Sequence, residues 1–107
     1  MTDRELLELA AIAAGIKGVY AEIIGHPSTQ KAILRTTNGQ TWNPLQDDRE
    51  ALRLAVKLGI SIEFCFISQQ VCVEDCCELV DDDPYSATRL AIVRAAAEIA
   101  KAQESNK

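Results

Sequence analysis

Ala51, Leu54, Ala55 and Leu58 recur at i, i+3, i+4 and i+7, while Arg49, Arg53 and Lys57 fall off that stripe. The spacing predicts an amphipathic helix with one apolar face. Its ends are marked as well. Asn43-Pro44 forces an extended or turn conformation, because the proline ring clashes with a helical residue before it. Asp47, with Glu50 three residues on, forms a capping box. The aspartate accepts from an orphaned N–H and the glutamate reaches back to the cap's own amide. Gly59 supplies the left-handed residue that ends a helix cheaply.

The N-terminus repeats this plan. Thr2 and Glu5 form a capping box, Leu7, Ala10, Ala11 and Ala14 form the stripe, and Gly15 is the stop. LELAAIAAGI (Leu7 to Ile16) aligns with ALRLAVKLGI (Ala51 to Ile60), each ending in Gly-Ile before a strand. A faint duplication and two helices solving one packing problem both account for the match. A third helix is predicted from Asp83-Pro84, an N-cap followed by proline at the first helical position. It should run to about Lys101, leaving residues 102–107 as a frayed tail.

Between the helices the period drops to two. Gly18 to Ile24 and Lys31 to Thr37 read as strands, separated by the turn residues Gly25, Pro27 and Ser28. Asn38-Gly39 is a second turn, leading to a short extended piece at Thr41 and Trp42. Further on, Ile62, Phe64 and Phe66 alternate with Glu63, Cys65 and Ile67. With Ser68-Gln69 as a two-residue turn, Phe66 faces Val71, Cys65 faces Cys72, Phe64 faces Val73 and Glu63 faces Glu74. That turn lacks Gly or Asn, and a longer loop would change the pairing. The order α-β-β-α-β-β-α predicts one α+β domain over residues 1–107. Its expected form is two-layered: a mostly antiparallel four-stranded sheet with helices on one face. The alanine-rich last helix (Ala87, Ala91, Ala95, Ala96, Ala97, Ala100) suits close approach to the sheet or to a second copy in a homodimer.

Composition narrows the function classes. The chain has 107 residues, 48% hydrophobic and 25% charged, ordinary for a globular chain with one core. Its early apolar run, Leu9 to Ile16, is too short to cross a bilayer and follows Asp3, Glu5 and Glu8, the wrong flank for a signal peptide. A cytoplasmic location is expected, with no membrane partner. A net charge of −5 disfavours nucleic acid, whose phosphates call for clustered Lys and Arg.

Few residues could carry chemistry. The four cysteines read first as reduced, small hydrophobes of a cytosolic protein. The alternative is a small-molecule or structural-metal site on Cys65, Cys72, Cys76 and Cys77, but only Cys72 and Cys76 have knuckle spacing. A redox role has no Cys-x-x-Cys motif behind it. Asp81, Asp82 and Asp83 fit helix capping rather than a calcium loop. His26, the sole histidine, sits in a Gly-His-Pro turn without a sequence-evident partner. Arg89 falls inside the apolar face made by Tyr85, Ile92, Ala96 and Ile99. Either a carboxylate near the helix start holds it or it binds a ligand. Trp42 beside the proline turn suits a plug at the core edge. No P-loop, dinucleotide fingerprint, nucleophile elbow or His-Glu-x-x-His is present. The expectation is therefore a non-catalytic chain with no cofactor.

MTDRELLELAA, WNPLQDDREALRLAVKLGI and DDDPYSATRLAIVRAAAEIAKA together resemble a family of small, functionally uncharacterised proteins of tailed bacteriophages and prophages. The likeness covers about two thirds of the chain and leaves out the hairpins. It implies a phage or prophage product in a bacterial cytoplasm and imports no catalytic residue. It carries over a recognition surface at Trp42, Asn43 and Pro44. The expected function is protein binding to a host or phage protein, with Glu63, Cys65, Ile67 and Cys72 on an exposed sheet face as the contact surface.

Overall fold

The computed structural model describes residues 2–23, 31–36, 41–65, 67–80 and 83–105. In chain order the elements are α1 (Asp3–Ala14), β1 (Gly18–Ile23), β2 (Lys31–Thr36), β3 (Thr41–Trp42), α2 (Asp48–Leu58), β4 (Ile62–Cys65), β5 (Gln70–Val73), β6 (Cys76–Leu79) and α3 (Pro84–Ser105). The class is α+β. The expected single four-stranded sheet is corrected to two three-stranded antiparallel sheets, β1-β2-β3 and β4-β5-β6. Each predicted hairpin gains a third strand. Thr41 and Trp42 fold back onto β2, and a two-residue turn at Glu74-Asp75 returns the chain as β6.

The helix boundaries follow the sequence chemistry. Thr2 Oγ1 accepts from the Glu5 N–H at 3.2 Å. Asp47 Oδ1 accepts from the Arg49 and Glu50 N–H groups, and Asp83 Oδ1 from those of Tyr85 and Ser86. The back-reach expected of Glu50 is supplied otherwise: the Asp47 N–H donates to the Asn43 carbonyl at 3.0 Å. Gly15 and Gly59 take φ values of 72° and 64°, and Ile16 and Ile60 each donate back to an alanine carbonyl one turn inside the helix. The two segments that match in sequence thus also match in structure. Each is a helix, an αL glycine and a three-stranded sheet in sequential order. α3 extends to Ser105, into the tail that begins at residue 102.

The core forms around α3, which packs against α1, α2, β5 and β6, while α1 also covers β1 and β2. Leu7, Ala10, Ala11 and Ala14 of α1 are buried, as are Ala51, Leu54 and Ala55 of α2. Val71 and Val73 of the central strand β5 are fully buried, as are Ala91, Val93, Ala96, Ala97 and Ala100 of α3. Small side chains on α3 let two helices and a sheet approach one axis.

The register of the second sheet differs from expectation by two residues. Phe64 faces Val71 and Glu63 faces Cys72, because β4 ends at Cys65 and the connection is longer than two residues. A shift of two keeps every side chain on its face. Ile62, Phe64, Val71 and Val73 therefore still share the inner side.

Candidate functional site: an apolar groove and a sulfur-bearing strand face

Between α2, β4 and the start of α3 runs an open groove of about 590 Å³, lined by Leu52, Ile62, Phe64, Tyr85 and Ile92 among others. Phe64 lies on the inner side of the sheet, opposite Val71, yet it stays 56% exposed. Leu52 at 60% and Tyr85 at 69% complete the apolar wall. Val56, one helical turn after Leu52, extends it along α2 and is 72% exposed. The next positions around α2 are the exposed Arg49 and Arg53, with Lys57 beyond. None of these three cations forms an ion pair among the described residues. β4 pairs only with β5, so one of its backbone edges is unpaired among the described strands.

Arg89 lies in the groove wall and is held by the protein itself. Its Nε donates to the Leu45 carbonyl at 3.0 Å and its guanidinium contacts Asp48 Oδ1 at 2.5 Å. The side chain is 15% exposed while that of Asp48 is 69% exposed. The carboxylate near a helix start belongs to α2 rather than α3, and the arginine pins the loop before α2 onto α3. Because Asp48 is solvated, most of the benefit should lie in the part-buried guanidinium–carbonyl bond and the packed stem. Arg89→Lys is expected to cost about 1–2 kcal/mol, since an ammonium cannot make both bonds. Asp48→Ala should cost no more than about 1 kcal/mol. Urea unfolding checks both, and equal costs would contradict this division.

The sequence-selected residues scatter. Trp42 and Pro44 are buried. Asn43, half-buried, works within the loop: its Oδ1 accepts from the Leu45 N–H at 3.2 Å, and its carbonyl accepts from Gln46 and Asp47. The trio therefore builds the approach to α2, with little of it facing solvent. Glu63, Cys65 and Ile67 are exposed and Cys72 is half-buried. His26, Asp81 and Asp82 lie outside the described residues.

The cysteines are the largest departure. Cys72 and Cys77 are disulfide-bonded across the β5–β6 ladder, with Cα atoms 4.1 Å apart. This corrects the reading of four reduced thiols. The Glu74-Asp75 turn that sets the two opposite each other carries no glycine or asparagine, although Glu74 adopts φ 54°. Cys65 and Cys76 are free. Alternation along β6 puts Cys76 on the inner face, so the four sulfurs do not converge as a metal site requires. No group of three or more His, Cys, Asp or Glu among the described residues is placed to hold a metal ion. Hydrogen bonding from Ser68, side chain first, lowers the pKa of the exposed Cys65 thiol. Burial raises that of Cys76, with Arg94 opposing.

A larger cleft of about 880 Å³ lies where the end of α2, the Glu74-Asp75 turn and α3 meet. Arg94, the cation in its wall, pairs with Glu78. No helix among the described residues is long and apolar enough to cross a membrane. Compared with protein-family models, curated proteins and solved structures, the chain matches none of them. The bacteriophage resemblance therefore stands on its motifs alone.

Proposed function

We propose that the protein is a small non-catalytic binding module. On this reading it is a phage or prophage accessory protein that docks on a host or phage protein. One observation carries the reading: an open groove walled by Leu52, Phe64 and Tyr85, beside cations of α2 that form no ion pair among the described residues. An apolar wall of this kind on a small acidic chain is a contact surface in waiting. The occupant it fits is a segment with apolar anchors and carboxylates along one flank, meeting Arg49 and Arg53.

The immobilised chain, exposed to extract from phage-infected bacteria, should retain a stoichiometric protein whose binding is then measured with purified components. Phe64→Glu and Leu52→Glu should each weaken that binding at least about tenfold, the equivalent of about 1.4 kcal/mol. Arg53→Glu should weaken it less and flatten its salt dependence. Ile67→Glu, away from the groove, should leave it unchanged. A partner indifferent to both groove variants, or lost through Ile67→Glu instead, contradicts this reading.

A further inference from the structure

Three sulfurs lie across three adjacent strands on the outer face of the second sheet. Cys77 of β6 is bonded to Cys72 of β5, directly opposite. Cys65 of β4 faces Gln70, which puts it on the same side and one diagonal step from Cys72. Cys76 belongs to the inner side and takes no part. The ladder and the two-residue turn already hold β5 to β6, and Cys77 is exposed. Exposed disulfides are the labile members of their class.

We propose that Cys65 and the Cys72–Cys77 disulfide form a thiol–disulfide exchange site, in which the bond moves from the β5–β6 pair to the β4–β5 pair. Cys65 first gives its proton to solvent. Its thiolate then attacks Cys72 Sγ, a Cys65–Cys72 bond forms and the Cys72–Cys77 bond breaks. The electron pair leaves on Cys77 Sγ, which takes a proton from solvent. The protein gains and loses no electrons, so no outside oxidant is needed. The strand order favours this direction of attack. β6, β5 and β4 follow one another across the sheet, so a nucleophile on β4 meets Cys72 from the side opposite the leaving sulfur. The hydrogen bonds from Ser68 favour the thiolate of Cys65.

The diagonal closes when β4 slides two residues along β5, which sets Cys65 opposite Cys72 and Phe64 opposite Val73. Side-chain period is two, so Ile62 and Phe64 stay on the inner face throughout. The slide breaks the present β4–β5 ladder and re-forms it two residues on, and it also gives up the contacts between Ser61 and Glu74. The Ser61 N–H donates to Glu74 Oε1 at 2.9 Å, and the Glu74 N–H donates to the Ser61 carbonyl at 3.3 Å.

The test uses the full oxidised chain, held at mildly alkaline pH, quenched with acid, labelled with N-ethylmaleimide in denaturant and mapped by tandem mass spectrometry. Two species are expected: Cys72–Cys77 with label on Cys65, and Cys65–Cys72 with label on Cys77. Cys65→Ser should abolish the Cys77 label, while Cys76→Ser should leave it in place. Circular dichroism confirms that Cys65→Ser, at an exposed site, keeps its fold. Wild-type protein with Cys77 never labelled, Cys77 label that survives Cys65→Ser, or label on Cys72 and Cys77 together would each overturn the proposal.

Discussion

Trp42→Ala is expected to lower the unfolding free energy by about 3–5 kcal/mol, the usual cost of removing a large buried aromatic. The side chain is 6% exposed and belongs to the same buried cluster as Leu7, Leu54 and Val93. It sits on β3, whose partner at that position is Leu34, and it precedes the Asn43 turn that leads into α2. Its removal therefore leaves a cavity at the point where the first sheet hands the chain to the second half. Trp42→Phe keeps most of the apolar contact and should cost clearly less. Circular dichroism is the suitable readout, because Trp42 is the sole tryptophan. A midpoint unchanged by Trp42→Ala would show that the ring is not a core element. It would restore the recognition role implied by the phage resemblance.

The helices were legible because capping and stripe are local chemistry. Thr2, Asp47 and Asp83 each accept from the N–H groups that their position demands, and Gly15 and Gly59 take the left-handed conformation. The sheets were legible only in part. β6 was hidden because its turn is Glu74-Asp75, and a glutamate at positive φ announces no hairpin. With β6 unseen, Cys77 had no strand to sit on, and its bond to Cys72 could not be anticipated. The pairing of β4 with β5 departs from the two-residue-turn register through the length of one connection, and the faces are kept because the shift is even. The groove left one signal in the sequence. Leu52 and Val56 are apolar at i and i+4 on the side of α2 that otherwise carries Arg49, Arg53 and Lys57. A helix that buries one stripe has no packing reason for a second. The rest of the groove comes from Phe64 and Tyr85, which only tertiary structure brings to the same place.

Val73→Asp tests the second half of the molecule more severely, with an expected loss of about 4 kcal/mol or more. Val73 has no exposed surface, lies on the central strand β5, and faces Ile62 on one side and Cys76 on the other. α3 packs over that strand. No cation sits at either of those cross-strand positions, and Arg94 of α3, which acts on the neighbouring Cys76, is already paired with Glu78, so a carboxylate there would be desolvated without a ready partner. Burial would hold the introduced carboxyl well above the ordinary carboxylate range in the folded chain. The sign of the pH effect follows. The folded state then binds more protons than the unfolded state between the two pKa values, so the loss grows as pH rises through that window. Below the unfolded value of about 4 both states are protonated, and only the smaller cost of a neutral polar group remains. Val73→Asn, of similar size but without a titrating group, should show a loss independent of pH. Denaturant midpoints across mildly acidic to neutral pH measure the difference between the two variants. A Val73→Asp loss that stays flat with pH would mean that solvent reaches β5, and that α3 does not close over the second sheet.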